Sequence, residues 1–430
     1  MRVTNPLPIE LLLPETADVD ETGALSIGGV SLLDVAAEFG TPAFVFDETH
    51  LRSRCNEAVA AFPDGVAYAT KAFLCKEMAR IAATAGMSLD VATGGEMHVA
   101  LAAGVPSARL VLHGNNKSVE ELTAAMQLGV GLVVIDSFDE IDRLERIWKQ
   151  LTDVAPIRAL VRVTPGVEAH THEFVKTGQN DSKFGFGLAS GGAQEAIDRA
   201  VASPAIDVRG VHAHIGSQIF ESAGFEREIE LLVPLVLRNE LHELCVGGGL
   251  GVPYVTGESA PTITEWGSAV LASARLAGVP EHVAVTAEPG RSIVATAGIT
   301  LYEVGTIKTL PDIRTYLSVD GGMSDNPRPV LYGSGYEAFL PRAVSASRPR
   351  TVTISGKHCE SGDVVIRDAQ VPADTRVGDI IATPVTGAYG HTMASNYNRV
   401  PRPPVIFVAD GQARVVVRRE TFDDLVRLDA

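Results

Sequence analysis

Eight short apolar runs occupy residues 66–71, 88–93, 109–114, 132–137, 157–163, 208–216, 243–249 and 283–290. Each is rich in Val, Ile, Leu or Ala and too short for a buried helix. The intervening stretches 76–85, 95–103, 119–128 and 140–150 read as helices. Eight strands alternating with helices predict a (β/α)8 barrel, whose functional groups gather at the C-terminal ends of the strands. Those ends read Lys71, Asp90-Val-Ala-Thr-Gly-Gly, His113-Gly-Asn-Asn, Asp136-Ser, Thr164-Pro-Gly, His212-Ala-His214-Ile-Gly-Ser217, Gly247-Gly248-Gly249-Leu-Gly and Glu288-Pro289-Gly290-Arg291.

After residue 298 the period changes. Residues 301–306, 314–319, 351–354, 363–366, 379–383, 405–408 and 413–418 alternate like half-buried antiparallel strands, separated by turns such as Asp320-Gly-Gly and Asp410-Gly. They predict a mainly antiparallel β domain, a sandwich or barrel. Strands at 24–27 and 43–46 are expected to join that domain. The organisation expected is therefore 1–47 with the β domain, 48–298 as the barrel, and 299–430 as the C-terminal β domain. Residues 256–262 read as a loose surface loop.

A chain of 430 residues has material for about two domains. Its net charge of −17, with no basic tract, argues against nucleic acid as a partner. No apolar run approaches the roughly 20 residues that cross a bilayer. The first eight residues are broken by prolines and do not resemble a signal peptide. Cys55, Cys75, Cys245 and Cys359 show no metal-binding spacing, and the expected compartment is the cytoplasm, with thiols reduced.

Lys71 follows a strand that would carry its amine to the barrel mouth, where a partly desolvated lysine can form a Schiff base with an aldehyde. Taken alone, it reads first as a surface lysine opening the next helix, and the rest of the rim shifts that reading. Gly247-Gly248-Gly249 after the seventh strand offers bare backbone amides for a phosphate, with Arg291 and the Ser217 hydroxyl beside it. Glu288 could face a protonated pyridine nitrogen, or simply bridge to Arg291. His214 could lie against a cofactor ring, with His212 on the same strand face; either could equally be a core histidine. A zinc site from His113, His212, His214 and Glu288 is a rival that leaves the lysine and the phosphate nest unexplained. Cys359, in Gly356-Lys-His-Cys-Glu360-Ser-Gly-Asp363, sits in a turn between strands.

Together these residues resemble the diaminopimelate decarboxylase family, within the alanine-racemase-like (fold type III) class of pyridoxal-phosphate enzymes. YATKA, LDVATGGE, HGNNKS, HAHIGSQIF, GGGLGVPY, EPGR, SVDGGMSDNPRPVLYG, GKHCESGD and TGAYGHTMASNYN appear in the family's order, spanning nearly the whole chain. The resemblance implies a homodimer whose active sites each borrow residues from the partner, and decarboxylation of meso-diaminopimelate to L-lysine. It implies pyridoxal 5'-phosphate as cofactor, joined to Lys71. His214 would stack on the ring, with Ser217 and Gly247–Gly249 on the phosphate and Glu288 at the ring nitrogen. Asp90, Pro289, Gly290 and Tyr389 would lie close by. Cys359 resembles the proton donor, and Arg291, Arg328, Tyr332, Glu360 and Tyr389 resemble the substrate-binding set. No role is carried over to His391. Sister decarboxylases of ornithine, arginine, carboxynorspermidine or a carrier-bound amino acid are the near alternatives, and a non-catalytic cofactor-binding relative is the alternative from another class.

Overall fold

The computed structural model describes residue 9, residues 12–167 and residues 181–430; the leading eight residues, weighed above as a leader, lie outside it. The chain divides into two compact units. One holds the described residues up to Ser53 with Val252–Ser259 and Ile293–Ala430, and the other holds those of Arg54–Gly251 with Ala260–Ser292.

In the second unit the apolar runs form β1 (Ala67–Ala69), β2 (Ser88–Val91), β3 (Leu110–Leu112), β4 (Leu132–Ile135), β5 (Ile157–Thr164), β6 (Ile206–His212), β7 (Glu243–Cys245) and β8 (Ala284–Thr286). They pair in chain order, each neighbour parallel. Val66 bridges Ala287 in parallel, and the Ala67 and Ala69 amides donate to the carbonyls of Ala287 (2.9 Å) and Pro289 (3.1 Å), closing the ring. Closure removes the exposed edges of the sheet. Helices follow where the pattern placed them, including Lys76–Ala85, Gly94–Ala102 and Val119–Leu128. The helix Phe138–Gln150 starts two residues before the expected 140, because the Ser137 hydroxyl caps it by accepting from the Glu140 amide. Lys117, fully buried, donates to Glu140 Oε1 (2.8 Å) and to the carbonyls of Gly114 (2.8 Å) and Val134 (2.6 Å). These contacts tie the loop after β3 to β4 and to the helix that follows it.

The first unit is built on one eight-stranded mixed sheet. Its path runs Val364–Val371, Arg350–Ser355, Arg314–Val319, Gly298–Leu310, Ala43–Asp47, Val405–Ala409 and Gln412–Val417, with Ile380–Pro384 also paired to Gly298–Leu310. The long strand changes partners at a register shift between Val304 and Thr306, a bulge of the kind that bends a strand. Pairing is antiparallel except at two places: Arg314–Val319 lies parallel to Arg350–Ser355, and Ala43–Asp47 parallel to Val405–Ala409. Both pairs are separated by long excursions, which let the chain return in either direction.

Leu25–Ile27 lies in this unit, as expected, but outside its large sheet; it pairs with Asp18–Val19 and, through a Gly28-Gly29 turn, with Val30–Ser31. Both glycines have positive φ (58° and 77°), the requirement of a two-residue hairpin loop that sends the chain straight back. Residues 256–262 are not loose. The Thr256 amide donates to Glu337 Oε1 (3.0 Å), and Thr262 forms a capping box for the helix Ile263–Leu276.

Candidate functional site

After β1 the chain turns tightly at Thr70–Ala72. Two buried hydrogen bonds pin this turn: the Tyr68 hydroxyl donates to the Phe73 carbonyl (2.6 Å), and the Thr70 hydroxyl to the Asp90 carbonyl (2.7 Å). Lys71 between them keeps 48% of its side chain exposed, with Nζ 3.4 Å from Oδ2 of the buried Asp90. Nearby, Glu96 accepts from the Ala92 amide (2.6 Å); burial raises its carboxyl, an effect this hydrogen bond partly offsets and the Asp90 charge reinforces. The turn from Glu288 to Arg291 packs onto the end of β1. A Cβ at Gly290 would stand 2.9 Å from the Ala69 carbonyl oxygen, so only glycine lets the two segments meet.

Glu288 is buried and lies between two histidines. His113 Nε2 is 2.8 Å from its Oε1, and His212 Nε2 is 2.9 Å from its Oε2. Burial by itself would raise this carboxyl, but the attraction of both imidazoles and their hydrogen bonds outweigh it. Glu288 is held well below the ordinary carboxylate range. For His212 burial dominates over the pull of Glu288 and lowers its pKa. Its Nδ1 has no hydrogen-bond partner among the described residues. The partners found for Glu288 are these histidines rather than the Arg291 weighed from the sequence, and Arg291 Nη2 donates to Ser217 Oγ (2.9 Å).

His214 accepts the Gly248 amide at Nδ1 (3.1 Å). Its ring keeps some exposed surface yet is closely surrounded, and burial, with the Lys71 and Arg162 charges, holds it well below the usual imidazole range. It is therefore neutral. The glycine loop is dictated by space: a Cβ at Gly248 would lie 2.2 Å from the Glu288 carbonyl oxygen, and one at Gly249 2.3 Å from that of Gly216. His113, His212 and Glu288 present ligand-type atoms within 4.8 Å of one another. Both Nε2 atoms face the Glu288 carboxylate, and His214 stands outside this group.

The other unit carries a second constellation. Arg328 is buried, its guanidinium 4.1 Å from the Tyr254 ring centroid and its Nη1 donating to the Tyr336 hydroxyl (2.6 Å). Among the described residues no carboxylate pairs with it. Tyr332 is half-buried at the end of the short helix Arg328–Tyr332. Cys359 is exposed, whereas Cys55, Cys75 and Cys245 are buried. Its neighbour Glu360 accepts a short hydrogen bond from the Tyr397 hydroxyl. Asp363 ties this turn to the loop before Arg328, accepting from the amides of Met323 (2.7 Å) and His358 (2.8 Å). Tyr389 holds a left-handed backbone (φ 61°), a conformation that costs a bulky residue energy and recurs at functional sites. His391 packs edge-on against Phe44, and burial pushes its pKa down to about 4, as does the Arg402 charge.

The structure thus gathers Lys71, Asp90, His214, Ser217, the glycine loop, Glu288 and Arg291 at one barrel rim. It gathers Arg328, Cys359 and Glu360 on interlocked loops of the other unit. Sequence reasoning placed Asp136 at a strand end without giving it a role, and it missed Arg162 (3.6 Å from Asp136), Glu96, Tyr254, Tyr336 and Asn398. Arg162 left a signal, a charge inside an apolar strand; the tyrosines left none, because they reach Arg328 only through folding.

The rim suits pyridoxal phosphate: a bare-backbone loop with Ser217 and Arg291 for a phosphate, an ionised Glu288 for a ring nitrogen, and an accessible lysine. Residues 48–295 match the model of the pyridoxal-dependent decarboxylase pyridoxal-binding domain. Diaminopimelate decarboxylase of Mycobacterium tuberculosis is 47% identical, with 97% of each chain covered, and that of Bacillus subtilis is 43% identical, covering 97% of this chain and 98% of its own. The crystal structure of diaminopimelate decarboxylase from M. jannaschii in complex with L-lysine superposes with a TM-score of 0.89 at 31% identity, covering 97% of this chain and 98% of that one. On its barrel, its rim chemistry and these likenesses, the chain belongs to the diaminopimelate decarboxylase family of pyridoxal-dependent decarboxylases.

Proposed function

We propose that the protein removes CO2 from meso-diaminopimelate to give L-lysine, as a cytoplasmic homodimer whose two sites each combine one chain's barrel rim with the partner's Cys359 turn. Lys71 would hold the aldehyde of pyridoxal phosphate, with Asp90 steering its amine. Ser217, Arg291 and the Gly247–Gly249 loop would hold the phosphate, and His214 and Glu288 the ring. When bound, the cofactor supplies the sink for the electron pair left at Cα by departing CO2. The ionised Glu288 favours a protonated ring nitrogen and so a stronger sink. Cys359 delivers the proton that takes the carboxylate's place at Cα, and Tyr389 and Tyr332 line the substrate.

The observation that carries the substrate is Arg328, a buried guanidinium among tyrosines with no carboxylate partner among the described residues. Such a cation is complete when a ligand brings the anion. Meso-diaminopimelate has a distal carboxylate, which ornithine and lysine lack, and Glu360 can accept from its distal ammonium. The test is CO2 release from a panel of meso-diaminopimelate, ornithine, arginine and lysine, with lysine formation measured alongside. Diaminopimelate should be fastest, with lysine and CO2 in equal amounts; faster release from ornithine would overturn the assignment.

A further inference from the structure

We propose that Asn398 and His358 are positioning residues for the Cys359 thiol, acting through a single side-chain carbonyl that both His358 and the Cys359 backbone share. The inference rests on the reading of Cys359 as the proton donor. Asn398 Oδ1 lies 3.1 Å from His358 Nδ1 and accepts the Cys359 amide at 3.4 Å. On the far side of the ring, His358 Nε2 is 2.8 Å from the Ser324 hydroxyl. An amide oxygen accepts only, so Nδ1 donates to it, while Nε2 pairs with the Ser324 hydroxyl. The ring is thereby fixed at both nitrogens, and it is buried.

The same short segment closes on the turn from three further points. The Ser395 amide donates to the Ser324 carbonyl (2.8 Å), Tyr397 bonds to Glu360, and the Tyr397 ring lies 5.3 Å from that of His358. Asn398 reaches its place in a left-handed conformation (φ 51°), which asparagine tolerates better than most residues. Cys359 itself is exposed, in a tight turn with no core packing of its own to orient it. A proton donor must stand within about 3 Å of the carbon it serves, so the orientation has to come from the backbone on either side. Asp363 holds the His358 amide and Asn398 the Cys359 amide, so two successive peptide groups are fixed.

The experiment is a double-mutant cycle in the cofactor-loaded enzyme. Asn398→Gly keeps the left-handed backbone and removes the carbonyl; Asn398→Asp keeps an acceptor in the same place. We expect Asn398→Gly to lower kcat about 10-fold with KM for diaminopimelate changed less than about 2-fold. In a Cys359→Ala background the same substitution should change kcat by less than about 2-fold, because the group it positions is gone. Asn398→Asp should recover most of the loss. Equal losses in both backgrounds, as general destabilisation would give, overturn the proposal while leaving Cys359 as donor. A Cys359→Ala enzyme with unchanged kcat overturns the donor reading itself, and this inference with it.

Discussion

Replacing Arg328 tests the substrate reading most directly. The residue is 5% exposed, its guanidinium stacked on Tyr254 and steered by a 2.6 Å hydrogen bond to Tyr336. At an effective dielectric near 20, two unit charges about 4 Å apart attract by about 4 kcal/mol, and truncating one partner of a buried charge pair costs about 2–5 kcal/mol. Arg328→Met, which keeps much of the buried volume, should therefore lower kcat/KM for meso-diaminopimelate roughly 30-fold or more. Arg328→Lys restores charge without the planar fork and should fall between. Tyr336→Phe removes the steering hydrogen bond, about 0.5–1.5 kcal/mol, and should cost up to about 10-fold. The assay is initial-rate CO2 release from diaminopimelate, compared with any residual reaction of lysine, which has no distal carboxylate. The diaminopimelate reaction alone should suffer. Equal losses with both substrates, or a lower melting temperature that accounts for the loss, would refute the assignment and make Arg328 a structural cation.

Lys71→Ala should abolish turnover, and borohydride treatment of the unmutated protein should fix the cofactor on the peptide containing Lys71; recovery on another lysine sinks that role. Refolding a mixture of Lys71→Ala and Cys359→Ala chains should restore part of the activity if sites are shared between subunits, with the refolded unmutated protein as control; parental activity alone rules sharing out. Glu228 is completely buried, and neither carboxyl oxygen has a hydrogen-bond partner among the described residues, so burial raises its pKa well above 4.5. Below that ordinary value the folded and unfolded chains both hold the proton and folding costs nothing extra. Above it the unfolded chain ionises first, so stability falls by about 1.4 kcal/mol per pH unit until the folded pKa is reached. Glu228→Gln should accordingly gain melting temperature over the unmutated protein by an amount that grows from pH 5 to pH 8, and a pH-independent difference would show that the carboxyl finds a partner.

The sequence by itself determined the barrel. A strand covered on both faces has to be apolar throughout, so β1 to β8 stand out as short continuous runs, and the residues at their ends are placed at one rim by connectivity alone. Lys71, the glycine loop and Glu288 were legible for that reason. The β strands after residue 298 were legible through their period of two, but their partners were not. Alternation marks which face is buried and is silent on the neighbour's direction, so the parallel pair of Ala43–Asp47 with Val405–Ala409 emerged only in the fold. The same holds for the partners of each charge. Glu288 is flanked by His113 and His212 rather than by Arg291, three residues away, because the barrel turns the ends of β3, β6 and β8 towards a common interior while the Pro289-Gly290 turn carries Arg291 to Ser217. Arg328 meets Tyr254 across a long stretch of chain, and Asn398 meets His358 in the same way. Sequence spacing sets only the nearest neighbours along a strand or helix; burial of apolar surface decides which distant polar groups must satisfy one another once water is excluded.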